Sequence, residues 1–388
     1  MHAHRRFSPA RKGRPARQRG QTLVLFALML GLAIIPGLGM ILEAGNAYGH
    51  QRIAQNGVDA VANAGATVLA QRLGGAPRTD TDVLAAMTAL SGDNSLSTFH
   101  ASYTNVTGAM LASDGTVTTD PLNAAQVGGG AIPPNAQGVR ASASLTFNTT
   151  IARVMGMNSF TATTDATGVT GALTGGQFLP VVFPVSMRNC DGTGALVSNL
   201  DAPWNLSNPP AAGSTHPNGQ EFIVPLCKTG GGSFMILDLD PTKNCYEEVL
   251  NPSSIQFSAF PVDVPTDTGN DCAKKVEDAV TDGHLQGKVV LVPVCDGDCS
   301  TDHGSGGTYH IIRIAAFFLD YVSYSNNPSN SACAAATSPT YGTSLVNIVG
   351  GNGSSSCIAG WFVRYITSGP VGSGNINNGE AIGVQLIK

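Results

Sequence analysis

The chain has 388 residues, long enough for two or three domains, and 42% of them are hydrophobic, enough to build cores. Only 12% are charged, while 47 are glycine, which excludes the charge-rich sequence of coiled coils and helical repeats and favours a β-rich protein with many turns. The net charge of −5 hides an asymmetry: residues 1–20 hold seven basic side chains and no acid, so the remaining 14 basic against 26 acidic groups leave the rest at −12.

Residues 1–21 read as a basic tail. Phe7 is its one aromatic residue of the Phe, Tyr and Trp type and no structured sequence accompanies it, so nucleic acid is not an expected partner. Residues 22–42, from Thr22 through Pro36 and Gly37 to Leu42, carry no charge. That length predicts a single-pass transmembrane helix in a lipid bilayer, bent at Pro36-Gly37. The basic flank predicts a cytoplasmic N-terminus and an extracytoplasmic or cell-surface body. The apolar run is longer than the core of a cleaved signal peptide, and Gly45 with Ala47 is a poor cleavage site, so a retained anchor is expected.

Residues 43–73 are Ala-rich and free of proline, which predicts a continuing helix. Its small residues, among them Ala54, Gly57, Ala62, Gly65 and Ala66, suit close packing. Two packings are open: against helices of other subunits, or folded back on the strands that follow.

The stretch from Arg19 to about residue 70 resembles a known family. Arg19-Gly20-Gln21 leads into the apolar run, Glu43-Ala44-Gly45 follows, then Tyr48, then Gln51-Arg52-Ile53-Ala54-Gln55-Asn56-Gly57-Val58-Asp59-Ala60. This is similar to the TadG-like N-terminal domain of tight-adherence (Flp) pilus assembly proteins. The resemblance implies a non-enzymatic role in pilus assembly or as a pilus-associated surface protein, with pilus-assembly or pilin-like subunits as partners. Leu25 stands where a prepilin substrate carries Glu, which argues against prepilin-type processing. Relatives with a von Willebrand A domain carry Asp-x-Ser-x-Ser at a metal site. Asp93-Asn94-Ser95-Leu96-Ser97 matches it literally, but a short helix with a capping box at Thr79 and Asp82 precedes it, so the match reads as coincidence.

Val139 to Phe147 alternates apolar and polar residues and predicts a half-buried strand. Thr149 to Asn158 is a connector, and Phe160 to Thr170 a second strand. Residues 171–177 read as a linker. From 178 to 388 short apolar runs recur between turn residues: Leu179–Val185, Phe222–Leu226, Phe234–Leu239, Val289–Val294, His310–Val322, Trp361–Ile366 and Ala381–Ile387. Only Cys272 to Val280 reads as helical. The expected fold is therefore α+β: a basic tail (1–21), a transmembrane helix (22–42), a helix-and-strand stem with a small antiparallel sheet (43–172), and a mainly-β extracytoplasmic domain (178–388).

All eight cysteines lie in that last region, at 190, 227, 245, 272, 295, 299, 333 and 357, which predicts disulfides in an oxidising compartment. Cys295 to His303 is the sharpest chemical cluster. Cys295, Cys299 and His303 lack the second pair of a zinc finger, and Asp296, Asp298 and Asp302 lack the closing Glu of a calcium loop. A solvated turn is expected there, and a calcium-binding loop on an anchored adhesin or hydrolase is the alternative. Gly304-Ser305-Gly306 is not a nucleophile elbow, and Gly283 to Lys288 has the wrong spacing for a phosphate loop. No catalytic residue, cofactor, metal site or small-molecule substrate is assigned.

Overall fold

A computed structural model describes residues 18–96, 98–184, 186–187, 197–198, 222–225, 236–266, 272–296, 307–323, 357–372 and 381–387. The N-terminal part contains α1 (Gln18–Leu73), α2 (Asp80–Asp93), β1 (Thr98–Thr104), β2 (Gly138–Asn148), a 3-10 turn (Ala152–Met155) and β3 (Ser159–Leu173). There follow β4 (Gly175–Gln177), β5 (Phe183–Pro184), β6 (Ser186–Met187), β7 (Val197–Ser198), β8 (Phe222–Pro225), α3 (Cys245–Leu250), β9 (Ser254–Gln256) and β10 (Val262–Pro265). The last elements are α4 (Cys272–Asp282), β11 (Lys288–Cys295), β12 (Thr308–Ser323), β13 (Cys357–Phe362), β14 (Tyr365–Ser368), β15 (Val371–Gly372) and β16 (Ala381–Ile387).

Helix α1 is a single helix of 56 residues that runs through Pro36. It stops at Gly74-Gly75. Gly75 takes φ +89, its N–H bonds the Arg72 carbonyl, and the Ala76 N–H reaches back to Gln71. That is a left-handed cap which a side chain would disfavour. Helix α2 starts at the expected capping box. The Thr79 N–H donates to Asp82 Oδ2 at 2.7 Å, and the Asp82 N–H donates back to Thr79 Oγ1 at 3.4 Å.

Two sheets organise the rest. The first has the order β1-β2-β3-β16-β14, with β15 also on β3. The second has the order β5-β11-β12-β13-β8, with β10 on β12. Strand β2 alternates as its sequence predicts: Val139, Ala141, Ala143 and Phe147 are buried and Arg140 is exposed. The buried face lies under α1, where Val58, Val61 and Ala62 join Val139, Ala141 and Tyr103 in one core. Helices α3 and α4 pack Val249, Val276 and Ala279 against Val292, Phe317 and Leu319 of the second sheet. A third cluster contains Leu173 and Phe178 with Ile314, Ala316 and Phe318, and so joins the two sheets.

Several expectations are corrected. The fold is mixed α/β, about 38% strand and 32% helix, rather than an anchored stem followed by a mainly-β body. Among the described residues no helix is long and apolar enough to cross a membrane, which overturns the transmembrane helix at 22–42 and the single-pass, N-terminus-inside localisation. The domain itself supplies a physical reason. A Cβ on Gly39 would lie 2.6 Å from Ile151, and the buried Glu43 carboxylate is bonded to the strand connector. The hairpin thus holds one side of the helix at Gly39 and Glu43, and that side is turned to protein rather than to lipid.

Cys245 and Cys295 are buried and disulfide-bonded, and no free cysteine occurs among the described residues. Cys190, Cys227, Cys299 and Cys333 lie outside the described residues.

The supposed linker is sheet: β3 runs to Leu173 and β4 starts at Gly175. The final run, Ala381–Ile387, belongs to the first sheet, with Ile382 opposite Ala172 and Ile387 opposite Thr167. Trp361–Ile366 is split, Trp361 and Phe362 in the second sheet and Tyr365 and Ile366 in the first.

Candidate interaction surface

Helix α1 presents two surfaces. Toward its C-terminal end Ala54, Val58, Val61, Ala62, Ala66 and Ala70 are fully buried. Small residues are required there. A Cβ on Gly65 would meet Met87 Sδ at 2.9 Å, and one on Gly57 would meet Asn94 at 3.1 Å. On the strand side, a Cβ on Gly168 would sit 2.5 Å from the Ala62 carbonyl oxygen. The small-residue face of 43–73 is thus spent on the chain's own sheet and on α2, which decides between the two packings left open by the sequence.

Toward its N-terminal end the helix is bare. Leu23 is 75% exposed and Phe26 71%, and Val24, Leu25, Leu28, Met29 and Leu30 are also exposed. Leu38, Met40, Ile41 and Leu42 continue the exposed series. Added Cβ atoms on Gly31, Gly37, Gly45 and Gly49 would meet nothing within 4 Å.

A clamp separates the two parts. Glu43, only 7% exposed, accepts from the Ile151 N–H at 2.9 Å and from the Thr150 N–H at 3.2 Å. About two turns further on, the His50 ring stacks on Phe147 with centroids 4.1 Å apart and planes at 11°. Phe147 in turn meets Phe160 edge-on at 6.2 Å. Thr149 Oγ1 donates to the Met157 carbonyl and closes the connector. Met157 and Phe160 stay partly exposed, so apolar surface continues from the helix onto the hairpin tip.

The domain that carries this helix is pinned by a buried carboxylate. Asp80, at the first turn of α2, accepts from Tyr103 Oη at 2.6 Å, Gly128 N at 2.9 Å and Gly130 N at 2.7 Å. Burial pulls its carboxyl up, but those three donors outweigh it and hold it below the ordinary carboxylate value. Burial first, then the bond to Asp80, pushes the Tyr103 phenol well above its usual range. The alternation of residues does not reveal Asp80 as a hub. Its position beside a helix start reads as simple capping, and the signal lies in Gly128 and Gly130, which supply bare N–H groups.

The other sites expected from the sequence fall apart or lie elsewhere. Asp93 and Asn94 end α2, Ser95 takes φ 55 and Leu96 is buried, so no strand precedes the Asp-x-Ser-x-Ser match. Asp296 is exposed at the end of β11, where its N–H bonds the His310 carbonyl. Asp298, Asp302 and His303 lie outside the described residues. His310 Nδ1 lies 2.7 Å from Asp263 Oδ1 on the neighbouring strand. Among the described residues no group of three His, Cys, Asp or Glu could hold a metal ion.

No family model, curated protein or solved structure matches this chain. The tight-adherence resemblance therefore rests on sequence motifs alone.

Proposed function

We propose that the protein is a non-enzymatic assembly subunit that docks through the exposed N-terminal part of α1 onto helices of neighbouring subunits, its own copies included. The observation behind this reading is the exposure of Leu23, Leu25, Phe26 and Met29 on a helix whose other end buries its inward face. Contiguous apolar surface of this size on a charge-poor protein marks an interaction site. Charge adds a direction: a tail with seven basic groups is joined to a remainder at −12, so one copy's tail complements another copy's body. Contacts of that head-to-tail kind build rings or open filaments. The tight-adherence resemblance of residues 19–70 supports a place for such a subunit in pilus assembly.

Sedimentation velocity on the full chain tests this. Species of defined stoichiometry are expected, growing with concentration and dissolving in Leu25→Ser/Phe26→Ser and in a variant with the seven tail charges replaced by Ser. A monomer at every concentration, polydisperse aggregate in all variants, or cosedimentation with phospholipid vesicles without protein association would overturn it.

A further inference from the structure

The outer face of the first sheet, opposite α1, carries a second feature that the assembly role does not use. It is a cleft of about 470 Å³, within the about 300–1,000 Å³ of small-molecule clefts. Its floor is two rows of polar side chains set by strand register. His100, Ser142 and Asp165 lie opposite one another across β1, β2 and β3. Ser102 and Arg140 form the next row, and Gln126 extends it through a bridge to Ser102. Gln126 Nε2 donates to Ser102 Oγ at 3.0 Å, and Arg140 Nη2 donates to Asp165 Oδ2 at 3.1 Å. Met110 and Pro121, from the segment between β1 and β2, form the apolar wall.

We infer that this cleft binds a neutral saccharide. Arg140 and Asp165 neutralise each other across 3.1 Å, so the floor has no net pull on an anion or a metal ion. Desolvating so many hydroxyl, amide and charged groups under an apolar ligand would leave their hydrogen bonds unmade, which is costly. A polyhydroxylated ring restores them. The Asp165 carboxylate retains acceptor sites and the Arg140 fork retains donors beyond the bond they share. Ser102 and Gln126 offer both functions side by side, and Ser142 offers them diagonally across from Ser102 at ~7–8 Å. The C–H face of a pyranose would rest on Met110 and Pro121. The charged pair is half-exposed, 48% and 57%, so the cleft is open and its affinity is millimolar in order.

Saturation-transfer NMR on the full chain tests this, with the methyl glycosides of glucose, galactose, mannose and N-acetylglucosamine at roughly 10 mM each, above the dissociation constant expected of an open cleft. Transfer to at least one glycoside is expected. Asp165→Ala and Arg140→Ala should each weaken that binding at least ~10-fold, because each removes hydrogen bonds to a charged group. Both side chains are on the solvent face, so an unchanged melting temperature separates loss of binding from loss of fold. No transfer from any of the four, or equal transfer in parent and variants, overturns the assignment. Association of the chain through α1 is read independently, since neither variant touches that helix.

Discussion

One helix passes through two environments. From Ala54 to Ala70 its inward face is mainly Ala, Val and Gly, with Leu69 its one large side chain, and it is buried against β2, β3 and α2. From Leu23 to Leu30 its side chains are Leu, Val, Phe and Met, larger and more apolar, and they are exposed. If hydrophobicity alone decided burial, the order would be reversed. Close approach decides it instead. A sheet whose strand carries Gly168 can receive a helix only where that helix is small, and dispersion contacts at short range then replace bulk apolar area. The large side chains have no place on the domain and are left for a partner.

The sharpest way to break this contrast is at the close approach itself. Gly168→Ala puts a methyl against the Ala62 carbonyl, backbone against backbone, and should cost about 3 kcal/mol and lower the melting temperature by several degrees. Chemical denaturation measures it, and an unchanged midpoint would mean that α1 is not seated as described.

Next is the carboxylate that holds α2 to the sheet. Asp80→Ala leaves the Tyr103 hydroxyl and two backbone N–H groups without their acceptor, for a loss of about 2–3 kcal/mol. The same group sets a pH dependence. Because its folded pKa lies below the unfolded 3.8, its stabilisation is full above pH ~4 and fades as pH falls through the folded value. Tyr103, raised in the fold, opposes unfolding fully below pH ~10 and ceases to do so as the unfolded phenol ionises above it. Melting curves from pH 2 to 6 should show the acid-side loss diminished in Asp80→Asn, whose side chain does not titrate.

The clamp gives a smaller effect. Glu43→Ala should cost about 1–2 kcal/mol by stranding the Thr150 and Ile151 N–H groups. Limited proteolysis should then cut first between residues 39 and 50. Smallest of all for stability, Leu25→Ser should shift the melting temperature by less than about 1 °C, since an exposed side chain has little to lose. The same change should weaken association, and that divergence between stability and association sharpens the comparison.

Local features were legible in the sequence. The capping box at Thr79 and Asp82, the alternation of Val139 to Phe147 and the helix from Cys272 are each written within a dozen residues, and the structure has all three. Helix α3 has its own box at Asn244 and Glu247, but six residues are too few to carry a visible period. Partnership across the chain was not legible. Nothing in Ala381–Ile387 says that it pairs with β3 some 210 residues earlier rather than with its neighbours. Gly65 and Gly168 look like any helix or strand glycine until the facing atoms are placed. The apolar run of 22–42 was visible, but where the domain takes hold of it depends on Glu43 meeting a connector 107 residues away.

Amide hydrogen exchange along α1, read in the full chain below and above its association concentration, tests the division of the helix most directly. Residues 54–70 should exchange slowly at both concentrations, as amides in a packed core do. Residues 22–38 should exchange fast when the chain is dilute and slow down on association. Equal protection of both segments in the dilute chain, or fast exchange at 22–38 in the associated form, would contradict the account.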